Sequence, residues 1–121
     1  MSRIEPRPTV LVVEDDKPLL ETMIEVLAVH GWDVIGWSED AAGALSLLER
    51  APDVALVDYQ LKDGPCDELV RQLVERGIPF ALFSGYEPEE LPASLQPHVH
   101  LHKPFGIETL LDAVQRLRVP R

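Results

Sequence analysis

Short apolar runs alternate along this chain with longer stretches in which apolar residues recur every three or four positions. Thr9 to Val13 (TVLVV) is rich in β-branched residues and predicts a buried strand. The polar run EDDKP follows, where Asp16 suits a helix cap and Pro18 the first turn. Leu19, Leu20, Met23, Ile24 and Leu27 then fall at helical spacing, and Gly31 marks the helix end. Asp33 to Trp37 (DVIGW) predicts a second strand. Ser38 reads as the cap of a helix from about Glu39 to Arg50, with Ala41, Leu45 and Leu48 as its apolar stripe. Val54 to Asp58 (VALVD) predicts a third strand, Cys66 to Glu75 a third helix, and Pro79 to Phe83 (PFALF) a fourth strand. The stretch GYEPEELPASLQP contains three prolines, so only a short helix, about Glu89 to Leu95, is expected there. His98 to His102 predicts a fifth strand. Ile107 to Leu117 closes the chain with Leu110, Leu111, Val114 and Leu117 on one helix face.

A strand followed by a helix, five times over, implies an α/β domain: a parallel sheet with helices on both faces and right-handed crossovers. The doubly wound strand order 2-1-3-4-5 is expected, flanked by five helices of which the fourth is short or irregular. The domain should occupy residues 9–118, between a flexible arm at 1–8 and a short tail at 119–121.

Composition narrows the partners. The 121 residues suit one domain, and a hydrophobic fraction of 45% is normal for a folded one. The 21 acidic residues against 11 Lys and Arg give a formal charge of −10. That argues against non-specific nucleic-acid binding, which needs positive charge to displace counterions from phosphates. It equally disfavours an anionic membrane surface. With one cysteine, Cys66, no internal disulfide can form. The first residues lack the apolar core of a signal peptide, and no apolar run reaches the ~20 residues of a membrane span. A cytoplasmic location is expected.

In such a sheet, ligands bind beyond the carboxyl ends of the strands. There the expected strands deliver Glu14, Asp15 and Asp16, then Asp58, Ser84 and Lys103, and the strand order makes four of these ends neighbours. Three packed carboxylates, Glu14, Asp15 and Asp58, repel one another, and a hard divalent cation such as Mg²⁺ relieves that. A lysine and a hydroxyl beside them make a place for a phosphoryl group. No Gly-rich phosphate loop is present, so the group does not arrive on a bound nucleotide held that way. A carboxylate at the centre of the site is a candidate nucleophile.

Four segments, LVVEDD (Leu11–Asp16), LVDYQLKDG (Leu56–Gly64), FSG (Phe83–Gly85) and HKPF (His102–Phe105), stand in an order and at spacings that carry a resemblance. The chain resembles, over nearly its whole length, the receiver domain of bacterial two-component response regulators, a flavodoxin-like fold. The resemblance implies that Asp58 accepts a phosphoryl group from the phosphohistidine of a sensor histidine kinase or phosphotransfer protein. It implies Mg²⁺ (or Mn²⁺) held by Asp15 directly, by Glu14 through water, by Asp58, and by the backbone carbonyl of Gln60. Ser84 corresponds to the switch hydroxyl, Lys103 to the cation that pairs with the phosphoryl oxygen, and Gly85 to a small residue that leaves room for it. Gln60 and Tyr86 correspond to positions flanking the water that hydrolyses the acyl phosphate. A cis Lys103–Pro104 bond is expected. The implied output is a downstream protein target, or phosphate shuttling, by a monomer or a phosphorylation-dependent dimer. A chain that ends at Arg121 without a DNA-binding domain implies a stand-alone regulator.

This sequence departs from the family's common pattern in two places. His100 stands where most receivers carry the aromatic ring that turns inward on switching, and an imidazole can acquire charge near neutral pH. The proline-rich GYEPEELP replaces an ordinary fourth helix, and its GY pair resembles a subset of stand-alone receivers. Other readings remain at this level. His98, His100 and His102 could align on one strand face as zinc or copper ligands. Cys66 opens a helix, a setting that can lower a thiol pKa. Trp32, Trp37 and Tyr59 read as packing residues. The chain could also be a pseudo-receiver that binds partners without phosphorylation. An aspartyl-phosphate phosphohydrolase is the third possibility, although the second Asp such enzymes need is Gln60 here.

Overall fold

The computed structural model describes residues 6–93, 95 and 99–118. Five parallel strands form one sheet: β1 (Thr9–Val13), β2 (Asp33–Ser38), β3 (Val54–Asp58), β4 (Phe80–Ser84) and β5 (Val99–His102). Their order is β2-β1-β3-β4-β5, the doubly wound arrangement expected from the alternation of elements. The helices are α1 (Lys17–Val29), α2 (Ala41–Leu47), α3 (Asp67–Glu75) and α4 (Ile107–Arg118). β5 is described from Val99, and His98, where the strand was expected to begin, lies outside the described residues.

The sheet divides the core into two layers. Leu11, Val13, Ala55, Val57 and Leu82 face α2 and α3, where Ala44, Leu69 and Leu73, with Leu48 just after α2, cover them. Val10, Val12, Leu56, Ala81 and Phe83 face α1 and α4, where Met23, Leu27, Leu110 and Val114 cover them. Strands with both faces buried explain the unbroken apolar runs. Among these, β3 and β4 are buried along their whole length.

Several expected boundaries shift for identifiable reasons. Ser38 does not cap α2; its hydroxyl instead donates to the Asp40 carbonyl and accepts from the Asp40 backbone N–H (2.8 and 3.2 Å). Asp40 is the cap, accepting from Gly43 N at 2.7 Å. The helix expected to reach Arg50 ends at Leu47 and tightens into a 3₁₀ turn, Leu48–Arg50. β2 is one residue longer than expected and β4 starts and ends one residue later. Cys66 precedes α3 rather than belonging to it.

The expected five helices become four α-helices among the described residues. Where the fourth was expected, about Glu89 to Leu95, the chain makes one 3₁₀ turn at Pro88–Glu90. Leu91 and Leu95 are nonetheless buried against the α2–α3 layer, which holds the segment to the sheet.

Gly36 on the edge strand β2 has a packing reason. A Cβ there would meet the Leu47 side chain at 3.2 Å, so glycine lets α2 lie close to the sheet. Next to it the β1–β2 register slips between Val10 and Leu11, and the Arg50 guanidinium donates to the Ile35 carbonyl, which blocks part of the exposed edge. At the opposite end, Arg7 donates to the Ala28 carbonyl at 2.7 Å and Pro8 accepts from Asp33 N. No described helix is long and apolar enough to cross a membrane.

Candidate functional site

Each chemically active side chain sits where its strand stops. β1 ends at Val13, and one further backbone bond, Glu14 N–H to the Ser38 carbonyl (2.9 Å), carries Glu14 into the interior. Its side chain is completely buried. Asp16 then caps α1, as expected, by accepting from Leu19 N at 3.4 Å. Its own N–H donates to Glu14 Oε2 at 3.1 Å. This turn leaves Asp15 beside the cluster and partly exposed. β3 ends at Asp58, which is only 3% exposed, and Gln60 N–H donates to its Oδ1 at 3.1 Å.

Lys103, immediately after β5, enters between the two buried acids. Its ammonium lies 3.0 Å from Asp58 Oδ2 and 2.8 Å from Glu14 Oε1. The first contact is a hydrogen bond. The second is an ion pair without hydrogen-bond alignment, which leaves Glu14 Oε1 a buried oxygen with no aligned donor. Lys103 is positioned by its own N–H, which donates to the Ser84 carbonyl at 2.7 Å, and its ammonium lies 5.5 Å from the Phe83 ring centroid. The Lys103–Pro104 bond is cis, as expected, and Phe105 packs edge-on against Phe83.

The electrostatics follow from burial and crowding. Burial, then the neighbouring Asp58, raises the Glu14 pKa despite Lys103. Burial, then Glu14, raises that of Asp15. For Lys103, burial pulls the pKa down, but the close contacts with the Glu14 and Asp58 carboxylates outweigh it, and the net shift is upward. Glu14, Asp15 and Asp58 each bring a carboxylate oxygen to within 4.8 Å of the others. Two of these groups resist ionising, and one buried oxygen lacks an aligned donor. A second cation would relieve both conditions, and an all-oxygen donor set fits Mg²⁺ or Mn²⁺.

Ser84, at the end of β4, is buried. Its hydroxyl accepts from Tyr86 N–H at 3.1 Å and shares a hydrogen bond with His100 Nε2 at 3.0 Å. Gly85 is exposed, and a Cβ there would meet no atom within 4 Å. The Tyr86 ring is exposed and stands edge-on to Tyr59, with centroids 6.1 Å apart. Gln60 is exposed, with its backbone beside Asp58. A cleft of ≈340 Å³ opens beside Lys103, lined by Asp16, Leu19, Pro104 and Phe105.

The histidine-ladder reading does not survive for the described residues. His100 is half-buried on Ser84, whereas His102 is exposed with Nε2 3.4 Å from Glu87 Oε1. The one metal-ready acid cluster among the described residues contains no histidine. The helix start does not activate Cys66 either, because burial pushes the thiol up to about 12. Trp32 is core, with the Arg118 guanidinium 5.8 Å from its ring, while Trp37 is more than half exposed on the rim.

Two contacts escaped the sequence. The direct Ser84–His100 bond joins residues on different strands, for which no local pattern exists. The second lies in the loop after Asp58, where Gln60–Leu61 and Gly64–Pro65 pair as a two-residue hairpin. At its tip, Asp63 accepts from Ala41 N and Ala42 N (2.9 and 3.1 Å). The Asp63–Gly64 pair was the available turn signal.

Known proteins resemble this chain in sequence and in fold. The family model for the response regulator receiver domain matches residues 10–115. The regulatory protein VirG of Agrobacterium fabrum is 28% identical over 93% of this chain and 47% of its own length. The chain therefore spans about half the length of the curated relatives it matches. Among solved structures, SdrG of Sphingomonas melonis superimposes with a TM-score of 0.79 at 28% identity, covering 96% of this chain and all of that one. The receiver domain of the response regulator NarL from Mycobacterium tuberculosis gives 0.82 at 25% identity, with 96% and 100% covered.

Proposed function

Because the chain belongs to the response regulator receiver domain family, we propose that Asp58 is the phosphoacceptor of a two-component signalling protein, charged by the phosphohistidine of a sensor kinase or phosphotransfer protein. The carrying observation is the setting of Asp58: a nearly buried carboxylate at a strand end, flanked by Glu14 and Asp15 and held 3.0 Å from the Lys103 ammonium.

In the transfer, a carboxylate oxygen of Asp58 forms a bond to phosphorus while the phosphorus–nitrogen bond of the donor breaks. The imidazole leaves with the electron pair and takes up a proton. Lys103 neutralises charge on the equatorial oxygens, a role its raised pKa keeps available at neutral pH. Glu14, Asp15, Asp58 and the Gln60 carbonyl would hold Mg²⁺, which supplies a second positive charge to the same oxygens when bound. The cleft formed by Leu19, Pro104 and Phe105 offers the donor protein an apolar foothold beside Lys103.

Phosphorylation then competes for the Ser84 hydroxyl. Ser84 leaves His100 for the phosphoryl oxygen, and His100, on β5, reorients. β5, α4 and the Pro88–Glu90 turn form the face that presents this change to a target protein. His100 replaces the usual aromatic ring in that relay.

Acetyl phosphate with MgCl₂, followed by intact-mass spectrometry, tests the reading. One added phosphoryl group per chain supports it. Continuous turnover of small phosphoesters without accumulation favours a hydrolase, and no reaction favours a phosphorylation-independent binding module.

A further inference from the structure

α2 is capped twice, from two different places. Asp40, directly before the helix, accepts from Gly43 N at 2.7 Å. Asp63, 22 residues beyond Ala41, spans the first two helical N–H groups with one carboxylate oxygen on each (2.9 and 3.1 Å). The Asp63 pKa is lowered, first by the Ala41 N–H, with burial opposing and the Ala42 N–H adding to the decrease. The local carboxylate serves one free N–H group of the helix start, and the second serves two others. The second joins α2 to the loop that leaves the phosphoacceptor.

That loop is fastened at every other turn as well. Tyr59 N–H donates to the Phe83 carbonyl at 3.0 Å, and Cys66 N–H to the Tyr59 carbonyl at 3.2 Å. Leu61 is buried in the α2–α3 layer. Lys62 pairs with Glu39 at 3.0 Å, just before α2, on the same side as Asp63. Between these anchors stands Gln60, whose metal donor would be its backbone carbonyl. A carbonyl has no rotamer with which to adjust; its position is the position of the loop. Mg²⁺ tolerates little departure from octahedral geometry, so a loosely held donor is lost to water.

We propose that Asp63 is a positioning residue for the metal centre: by clamping the loop tip onto the N-terminus of α2 it holds the Gln60 carbonyl in place and thereby sets Mg²⁺ affinity. This rests on the reading of Gln60, Glu14, Asp15 and Asp58 as the metal site. The clamp also makes α2 a mechanical part of that site, although none of its side chains reaches the acids.

The test is an NMR titration of the intact chain with MgCl₂, following the Asp15, Asp58 and Gln60 amides in the parent and in Asp63→Ala, Asp63→Asn and Asp40→Ala. Asp63→Ala should weaken Mg²⁺ about tenfold, the lower end of what losing a group that orients a metal ligand costs. Asp63→Asn keeps one acceptor for one of the two N–H groups and removes the charge, so it should recover part of the affinity. Asp40→Ala uncaps the same helix without touching the loop, so it should lower thermal stability and leave Mg²⁺ affinity within about twofold of the parent. Equal affinity in the parent and Asp63→Ala overturns the proposal, as does an equal loss in Asp40→Ala. A parent with no saturable shift at these amides refutes the metal site itself, and the clamp's assigned purpose with it.

Discussion

Ser84 Oγ and His100 Nε2 share a hydrogen bond of 3.0 Å between neighbouring strands. The hydroxyl expected to move on phosphorylation is therefore already engaged by the side chain expected to relay the movement. Burial, then the nearby His102, lowers the His100 pKa, with Glu87 opposing. The folded value lies below the unfolded one of about 6.5. Stability from the neutral imidazole is thus present above that pH and is lost as pH falls through the folded value. Melting temperatures taken between about pH 8 and pH 5.5 should fall more steeply in the parent than in His100→Phe. If the relay runs through this imidazole, target affinity should also vary with pH in the parent and not in the Phe variant; parallel curves contradict the role of His100.

Replacing Ser84 separates structure from signal. Ser84→Ala leaves Tyr86 N–H without its acceptor and His100 without its partner, so denaturant unfolding should show a loss of about 1 kcal/mol. Asp58 should still be phosphorylated. The imidazole resonances of His100 should then no longer respond to phosphorylation, and a response as large as the parent's would remove Ser84 from the relay.

Lys103→Met removes the ammonium that pairs with two buried carboxylates. Without divalent cations the variant should lose about 3 kcal/mol, the lower part of the range for breaking a buried ion pair. Added MgCl₂ should stabilise the variant more than the parent, because the cation then supplies the missing positive charge. Denaturant curves with and without Mg²⁺ measure both effects, and equal stabilisation of the two proteins would contradict the picture of a charge-starved cluster.

Mg²⁺ itself should act as a stabilising ligand. At about 100 times its dissociation constant it should add roughly 2.7 kcal/mol to the parent, an increment a chelator reverses. Asp15→Asn should abolish most of this increment while leaving Lys103 on Asp58 and Glu14. A thermal scan in which Asp15→Asn responds fully to Mg²⁺ would exclude Asp15 as a direct ligand.

The parts of the fold that depend on local pattern were readable in advance. The runs VLVV, VALV and FALF are apolar because both faces of their strands are covered, and Asp16 caps α1 because that chemistry acts within three residues. The convergence of Glu14, Asp58 and Lys103 followed from strand order. Readability failed where a nearby competitor or a distant partner decided the outcome. Ser38 and Asp40 are both good caps, but the hydroxyl bonds the Asp40 backbone and leaves the helix start to the Asp40 carboxylate. Asp63 and Ala41 meet only through tertiary structure, as do Ser84 and His100. Prolines correctly foretold a weak fourth helix, but Leu91 shows that the segment still contributes to the core.

The central claim is that the phosphoryl group resides on Asp58. The direct measurement is reductive trapping of the acyl phosphate with borohydride after incubation with acetyl phosphate and MgCl₂, followed by peptide mass mapping. The account predicts conversion of Asp58 to homoserine, dependent on Mg²⁺ and absent from Asp58→Asn. A trapped product at any other residue, or an unchanged yield in Asp58→Asn, would contradict it.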